Sequence, residues 1–206
     1  LLTYYQAESL SEAQALATSL TEQFPKHPFG WTVLAAVLNQ MGRLTESLAA
    51  QRESVKLSPQ DAEAHYNLGI TLSEVGRNGE AKTSYQKSIS LKPDSAEAHF
   101  NLGNTLIELD ELGGAESSYR KSIALKPEYA QAHSNLGNTL RKLERLDDAE
   151  ASLRKAVALK PDLATAHNNL GGTLMELGRC DEAILSCVRA INLNSNFCEA
   201  YETLGA

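Results

Sequence analysis

The chain has 206 residues, a formal net charge of -7, 42% apolar residues and only 6% aromatics. That is a globular composition, poor in the rings that usually fill a compact core. The acidic balance, with no Lys/Arg cluster, argues against a nucleic-acid partner, and no apolar run approaches the roughly 18 residues of a membrane span. Three cysteines make no disulfide framework, which fits a reducing, cytoplasmic compartment. The opening LLTYYQAES has no signal-peptide character, and the absence of an initiating Met suggests a fragment.

In chain order, the first recognisable element is an apolar stripe at Ala13, Ala17 and Leu20, closed by Pro25. It reads as the second helix of a hairpin that begins at or before Leu1. Trp31, Leu34, Ala35 and Leu38 then mark a first helix, and Ser47 and Pro59 its partner. From Asp61 the chain repeats itself every 34 residues without a gap. His65, Leu68, Gly69 and Leu72 fall at i, i+3, i+4 and i+7, one face of a helix; Ala81, Tyr85, Ser88 and Ile89 do the same for a second. Gly76 between them suits a left-handed C′ position, and Lys92-Pro93 stops the second helix because the residue before proline is driven out of the α region.

The same two-helix unit recurs with His99, Leu102, Gly103, Leu106, Ala115, Tyr119 and Pro127, then with His133, Leu136, Gly137, Leu140, Ala149, Leu153 and Pro161. A further copy holds His167, Leu170, Gly171, Leu174, Ala183 and Cys187, with Ser195 in place of proline. Tyr201, Leu204 and Gly205 open another first helix. The units are therefore 1–27 (partial), 28–61, 62–95, 96–129, 130–163, 164–197 and 198–206 (partial). A helix of roughly 13 residues is marginal alone in water, so each must bury its stripe on the next hairpin. Asp110 and Glu144 stand where the turn glycine should, predicting another turn geometry or mild strain there.

These residues match the tetratricopeptide pattern W-x2-L-G-x2-Y, A-x3-F, P, with His at the tryptophan position in four copies. The chain resembles that family along nearly its whole length. The resemblance implies an all-α, right-handed superhelical solenoid of antiparallel helix-turn-helix hairpins, a single array from 1 to 206 that holds another polypeptide in a concave groove.

No catalytic motif is present: no G-x-S-x-G, no phosphate-binding glycine loop, no H-E-x-x-H. The expectation is a non-enzymatic chain with no cofactor and no metal. The histidines at 65, 99, 133 and 167 are too far apart for one ion, since stacked helices sit roughly 10 Å apart. Cys180 and Cys187 read as buried structural thiols, with Cys198 the more exposed.

Asparagine is the informative series. Asn67, Asn101, Asn135 and Asn169 precede each Leu-Gly pair, and Asn104 and Asn138 follow two of them. Asparagine is a mediocre helix former, so its recurrence in mid-helix points to a useful side chain, one that can pair with a peptide backbone. The alternative is that these carboxamides bridge neighbouring hairpins. The row resembles the asparagine ladder in the superhelical arm of O-linked N-acetylglucosamine transferases, and the phrase FPKHPFGW resembles the start of such arms in bacterial enzymes. Tyr66 and Phe100 are candidate apolar anchors, while Arg141 and Lys142 add positive charge beside Glu63, Glu74, Glu97 and Glu108. The lysine of the family's carboxylate clamp is replaced by Thr32, Tyr66, Phe100, Ser134 and Asn168, which excludes that mode of C-terminus capture.

The expected function is a peptide-binding scaffold contacted at Asn67, Asn101, Asn135, Asn169, Asn104, Asn138, Tyr66 and Phe100. Two alternatives stand beside it: the substrate-recruiting arm of a larger enzyme, and a scaffold that self-associates end to end through Tyr201 and Leu204.

Overall fold

A computed structural model describes residues 10–194. The chain divides between Asp94 and Ser95 into two compact units. Ser195, Cys198, Tyr201, Leu204 and Gly205 lie outside the described residues.

The N-terminal unit contains α1 (Leu10–Gln23), α2 (Pro28–Gln40), α3 (Leu44–Leu57), α4 (Ala62–Glu74) and α5 (Asn78–Leu91). The C-terminal unit contains α6 (Ala96–Glu108), α7 (Leu112–Leu125), α8 (Ala130–Lys142), α9 (Leu146–Leu159), α10 (Ala164–Glu176) and α11 (Cys180–Leu193). Every described element is a helix, and within each unit every helix packs on the next in sequence. In the C-terminal unit α8 also touches α6 and α10, so first helices face first helices. Both units are thus stacks of hairpins, the solenoid arrangement expected from the repeat.

The hairpin interior follows from one pairing. Gly103 on α6 faces Tyr119 on α7 so closely that a methyl group there would stand 2.6 Å from the ring. Gly69 meets Tyr85, Gly137 meets Leu153 and Gly171 meets Cys187 in the same way. A glycine in mid-helix costs roughly 1 kcal/mol relative to alanine, but here it admits a large side chain from the facing helix. Tyr85, Tyr119, Leu153 and Cys187 are accordingly almost fully buried. Leu153, Leu170, Leu174 and Ala183 form a core cluster that ties one hairpin to the next.

The histidine series has a structural explanation. Nε2 of His65, His133 and His167 lies 3.0 Å from the carbonyls of Pro59, Pro127 and Pro161, each six residues upstream. Trp31 makes the equivalent bond, its Nε1 donating to the Pro25 carbonyl at 3.0 Å. Histidine replaces tryptophan because both carry a ring N–H that satisfies a loop carbonyl. In FPKHPFGW, Pro25 supplies that carbonyl, the His27 ring caps α2 by accepting from the Phe29 amide, and Pro28 occupies the first turn.

The turns inside the hairpins share one geometry. Gly42, Gly76 and Gly178 have φ near +74°, and Asp110 and Glu144 adopt +57° and +59°. Each turn closes with the paired bonds of a Schellman motif, such as Glu144 N to Arg141 O and Arg145 N to Leu140 O, both 2.9 Å. Asp110 and Glu144 therefore keep the left-handed turn and bear strain in place of a new geometry, which costs non-glycine residues roughly 1–2 kcal/mol.

Outer faces carry a second repeat. Arg145 pairs with Asp148 at 2.6 Å, three residues on, and reaches back to Glu116 at 2.7 Å on the preceding second helix. Arg179 repeats this with Glu182 and Glu150, both at 2.6 Å. Burial opposes the charge on Glu116 and Glu150, but hydrogen bonds from Arg120 and Arg145, and from Arg154 and Arg179, hold both carboxyls below the ordinary value. On α11 the positions of Glu150 and Arg154 are taken by Ile184 and Val188, and with Leu185 they leave an apolar strip, Leu185 being 71% exposed.

Candidate functional site

Asn67, Asn101, Asn104, Asn135, Asn138 and Asn169 are half-buried on their first helices. Their backbone carbonyls are occupied by a repeated local bond: Thr71, Thr105, Thr139 and Thr173 donate their hydroxyls to the carbonyls of Asn67, Asn101, Asn135 and Asn169 at 2.7–3.3 Å. These threonines are buried, so the carboxamide one turn earlier is held on a fixed segment of helix.

In the C-terminal unit two of the carboxamides also bridge hairpins. Asn135 Nδ2 donates to Asn104 Oδ1 at 2.8 Å, and the Tyr119 hydroxyl donates to the same oxygen at 2.8 Å. Both lone-pair directions of Asn104 Oδ1 are used. Burial raises the Tyr119 phenol far above its usual pKa, so the hydroxyl remains a donor. Asn138 Oδ1 accepts from Arg141 Nη2 at 3.2 Å, and Arg141 also pairs with Glu176 at 3.4 Å. Asn104, Ile107, Glu108, Tyr119, Asn135, Asn138 and Thr139 line an open cleft of about 280 Å³.

The N-terminal unit holds the same cleft, two repeats earlier in sequence. It encloses about 210 Å³ and is lined by Thr32, Ala36, Asn39, Gln51, Asn67, Ile70 and Thr71. Ala36 stands where Asn104 does, Gln51 where Tyr119 does, Asn67 where Asn135 does and Ile70 where Asn138 does. The bridging asparagine and its tyrosine are both missing. Thr32 bonds Ser54 at 2.7 Å, and Asn39 Nδ2 donates to Glu74. Gln51 is 5% exposed, and its Oε1 has no hydrogen-bond partner.

Sequence reasoning placed no role on Gln51, Thr32 or Asn39. The signal was there: Ser47-x3-Gln51 breaks the A-x3-aromatic pattern, and a polar residue in a core-facing slot is the departure that calls for a partner.

The candidate anchors Tyr66 and Phe100 are half-buried against their own hairpins. The Tyr66 ring centroid lies 6.0 Å from that of Tyr85, and the Phe100 centroid 5.9 Å from Tyr119 and 4.8 Å from Tyr129. Part of each ring is thus engaged internally, and its exposed edge is what remains for a ligand. Cys187 is buried beneath Gly171 as expected. Cys180 is exposed, contrary to the expectation of a buried thiol, because it is the first residue of α11 and lies at the turn, away from the packed face. Among the described residues no group of three metal-ligating side chains converges, and no helix is long and apolar enough to cross a membrane.

Family profiles described as TPR repeat match residues 36–76, 72–110 and 137–178, and profiles described as tetratricopeptide repeat match 96–129, 118–151 and 164–197. A search of curated proteins finds no match. Among solved structures the chain is similar to YrrB, titled a TPR protein with an unusual peptide-binding site (TM-score 0.77, 20% identity, 92% of this chain and 98% of that one). It is similar to MamA from Desulfovibrio magneticus RS-1 (TM-score 0.76, 22% identity, 83% and 97%) and to PilW, titled a widely conserved type IV pilus biogenesis factor (TM-score 0.84, 20% identity, 100% and 94%). At these identities the structural likeness speaks for the fold. With family profiles spanning residues 36–197 and the close glycine contact repeated in four hairpins, the chain belongs to the tetratricopeptide-repeat family.

Proposed function

We propose that this protein is a non-catalytic scaffold that binds an extended polypeptide along its first-helix faces, through Asn67 in the N-terminal unit and Asn101, Asn104, Asn135, Asn138 and Asn169 in the C-terminal unit. The observation that carries this reading is the repeated Thr-to-Asn backbone bond, which holds Asn67, Asn101, Asn135 and Asn169 on rigid helix, with Asn67 and Asn135 each lining a polar cleft. Carboxamides supply donor and acceptor together, which suits a peptide backbone of any sequence. Tyr66 and Phe100 add apolar contact. YrrB, with a similar fold, has a peptide-binding site. Replacing Asn101, Asn135 and Asn169 together by alanine should weaken bound peptide about tenfold or more at unchanged helicity; unaltered affinity would sink the proposal.

A second reading is self-association. Glu150 pairs with Arg179 on the next second helix, so Ile184, its equivalent, marks a seam that receives another helix. Ile184 and Val188 are 42% and 43% exposed there. If copies of the chain meet on this strip, Ile184→Glu with Val188→Arg should abolish concentration-dependent light scattering; scattering that is flat in the wild type rules this out.

A further inference from the structure

The two clefts differ in what their polar atoms already do. In the C-terminal unit Asn135, Asn104 and Tyr119 satisfy one another. In the N-terminal unit the equivalent positions are Asn67, Ala36 and Gln51, and that internal exchange cannot form. Gln51 Oε1 is buried without a partner, a situation that costs roughly 1–3 kcal/mol of desolvation. Among the described residues no hydrogen bond engages the Asn67 carboxamide.

From this asymmetry, and resting on the peptide-binding reading above, we propose that the α2–α3–α4 cleft is the anchoring subsite. A backbone amide of an extended peptide enters it. The Gln51 side chain, whose Oε1 is enclosed, turns its carboxamide toward the cleft to accept from the peptide N–H, and the peptide carbonyl accepts from Asn67 Nδ2. The chemistry of the lining selects this ligand. No charged side chain lines the cleft, so it offers nothing to a phosphate, a carboxylate or a metal ion. Asn39 gives its N–H to Glu74, which leaves its carbonyl oxygen as a further acceptor for a second peptide N–H. Ala36 and Ile70 supply an apolar floor. The space, about 210 Å³, holds several waters at about 30 Å³ each, and equally one peptide unit with a short side chain.

The absence of tyrosine is part of the device. Ala35 stands where the next four hairpins have glycine, and its methyl group takes the space that a ring at position 51 would need, as the glycine–ring contacts at Gly69 and Gly103 show. Ala35 and Gln51 together keep the cleft polar and open.

The test uses the full chain and, as probe, ten-residue peptides recovered on it from a randomised phage-displayed library, with affinities read by fluorescence polarisation. Two variants are compared with wild type. Gln51→Met removes the acceptor at similar shape; Ala35→Gly with Ala36→Asn and Gln51→Tyr installs the self-satisfied arrangement of the C-terminal unit. Circular dichroism confirms folding, and either folded variant suffices. Support is a loss of tenfold or more in affinity, with the Gln51 side-chain amide resonances of the wild type shifting on peptide addition. If peptides bind wild type and variants within twofold, Gln51 serves only an enclosed water and this inference alone falls. If no peptide is recovered on the wild type, the peptide-binding reading falls and takes the inference with it.

Discussion

One cleft is built twice in this chain and finished differently each time. Around Tyr119 the facing glycine, the tyrosine ring and two carboxamides fit and bond internally. Around Gln51 the facing residue is alanine, the ring is gone and a buried acceptor lacks a partner. The fold tolerates both because a hairpin needs the slot filled, whether by a ring, Leu153 or Cys187 against glycine or by a flexible chain against alanine. The first solution favours rigidity and the second leaves hydrogen-bonding capacity unused. A repeat protein can thus carry stability in one copy and recognition in another, since each hairpin contacts mainly its neighbours.

The sharpest way to break this comparison is Gly103→Ala. Its methyl group meets the Tyr119 ring at 2.6 Å, so the change should cost about 1–3 kcal/mol of stability, the range for overpacking. Adding Tyr119→Gln reproduces the Ala35–Gln51 pair and should restore part of that loss. Urea denaturation of both variants measures the coupling, and simple additivity would show that the two slots do not follow one rule.

Alkaline pH separates the two solutions next. Burial pushes the Tyr85 phenol up to about 12 and raises Tyr119 further, while Gln51 cannot titrate. A raised folded-state value means the stabilisation is intact below the unfolded value of about 10 and is lost as pH rises through about 12. Tyr85→Phe should flatten the fall in melting temperature between pH 10 and 12, whereas Gln51→Met should leave that slope alone.

Smaller effects test the turns and the outer ladder. Glu144→Gly relieves a left-handed residue and should stabilise the chain by about 1 kcal/mol, while the same change at Asp110 should give less because aspartate tolerates that region better. Glu150→Gln removes the centre of the Arg154–Arg179 network. Its carboxyl is held below the ordinary value, so its contribution is present above about pH 4 and disappears as pH falls through the folded value. After solvent screening this is worth at most about 1 kcal/mol, read as a fall of a few degrees in melting temperature at pH 7 and none near pH 2.

Much of the architecture was legible in the residues themselves. The 34-residue period, the Leu-Gly faces and the prolines place the described helices, because a hairpin's contacts are local and repeat with the sequence. Lys92, beside Pro93, lies outside the α region as expected, with φ −137° and ψ 87°. Other readings needed coordinates. The histidine series spelled out a period but not its bond to the proline carbonyl six residues back. The Glu116–Arg145 and Glu150–Arg179 pairs, 29 residues apart, join side chains on separate helices that no single-helix pattern connects. The asparagines looked alike in sequence, yet Asn135 is engaged with Asn104 and Asn67 faces Ala36 and Gln51.

By itself, then, the sequence determined the repeat, the helix faces and the positions of the carboxamides, since these follow from local spacing and propensity. Tertiary structure alone decided which polar atoms are spent on one another and which are left. Hydrogen-bond satisfaction is a property of neighbours in space, and those neighbours come from different hairpins.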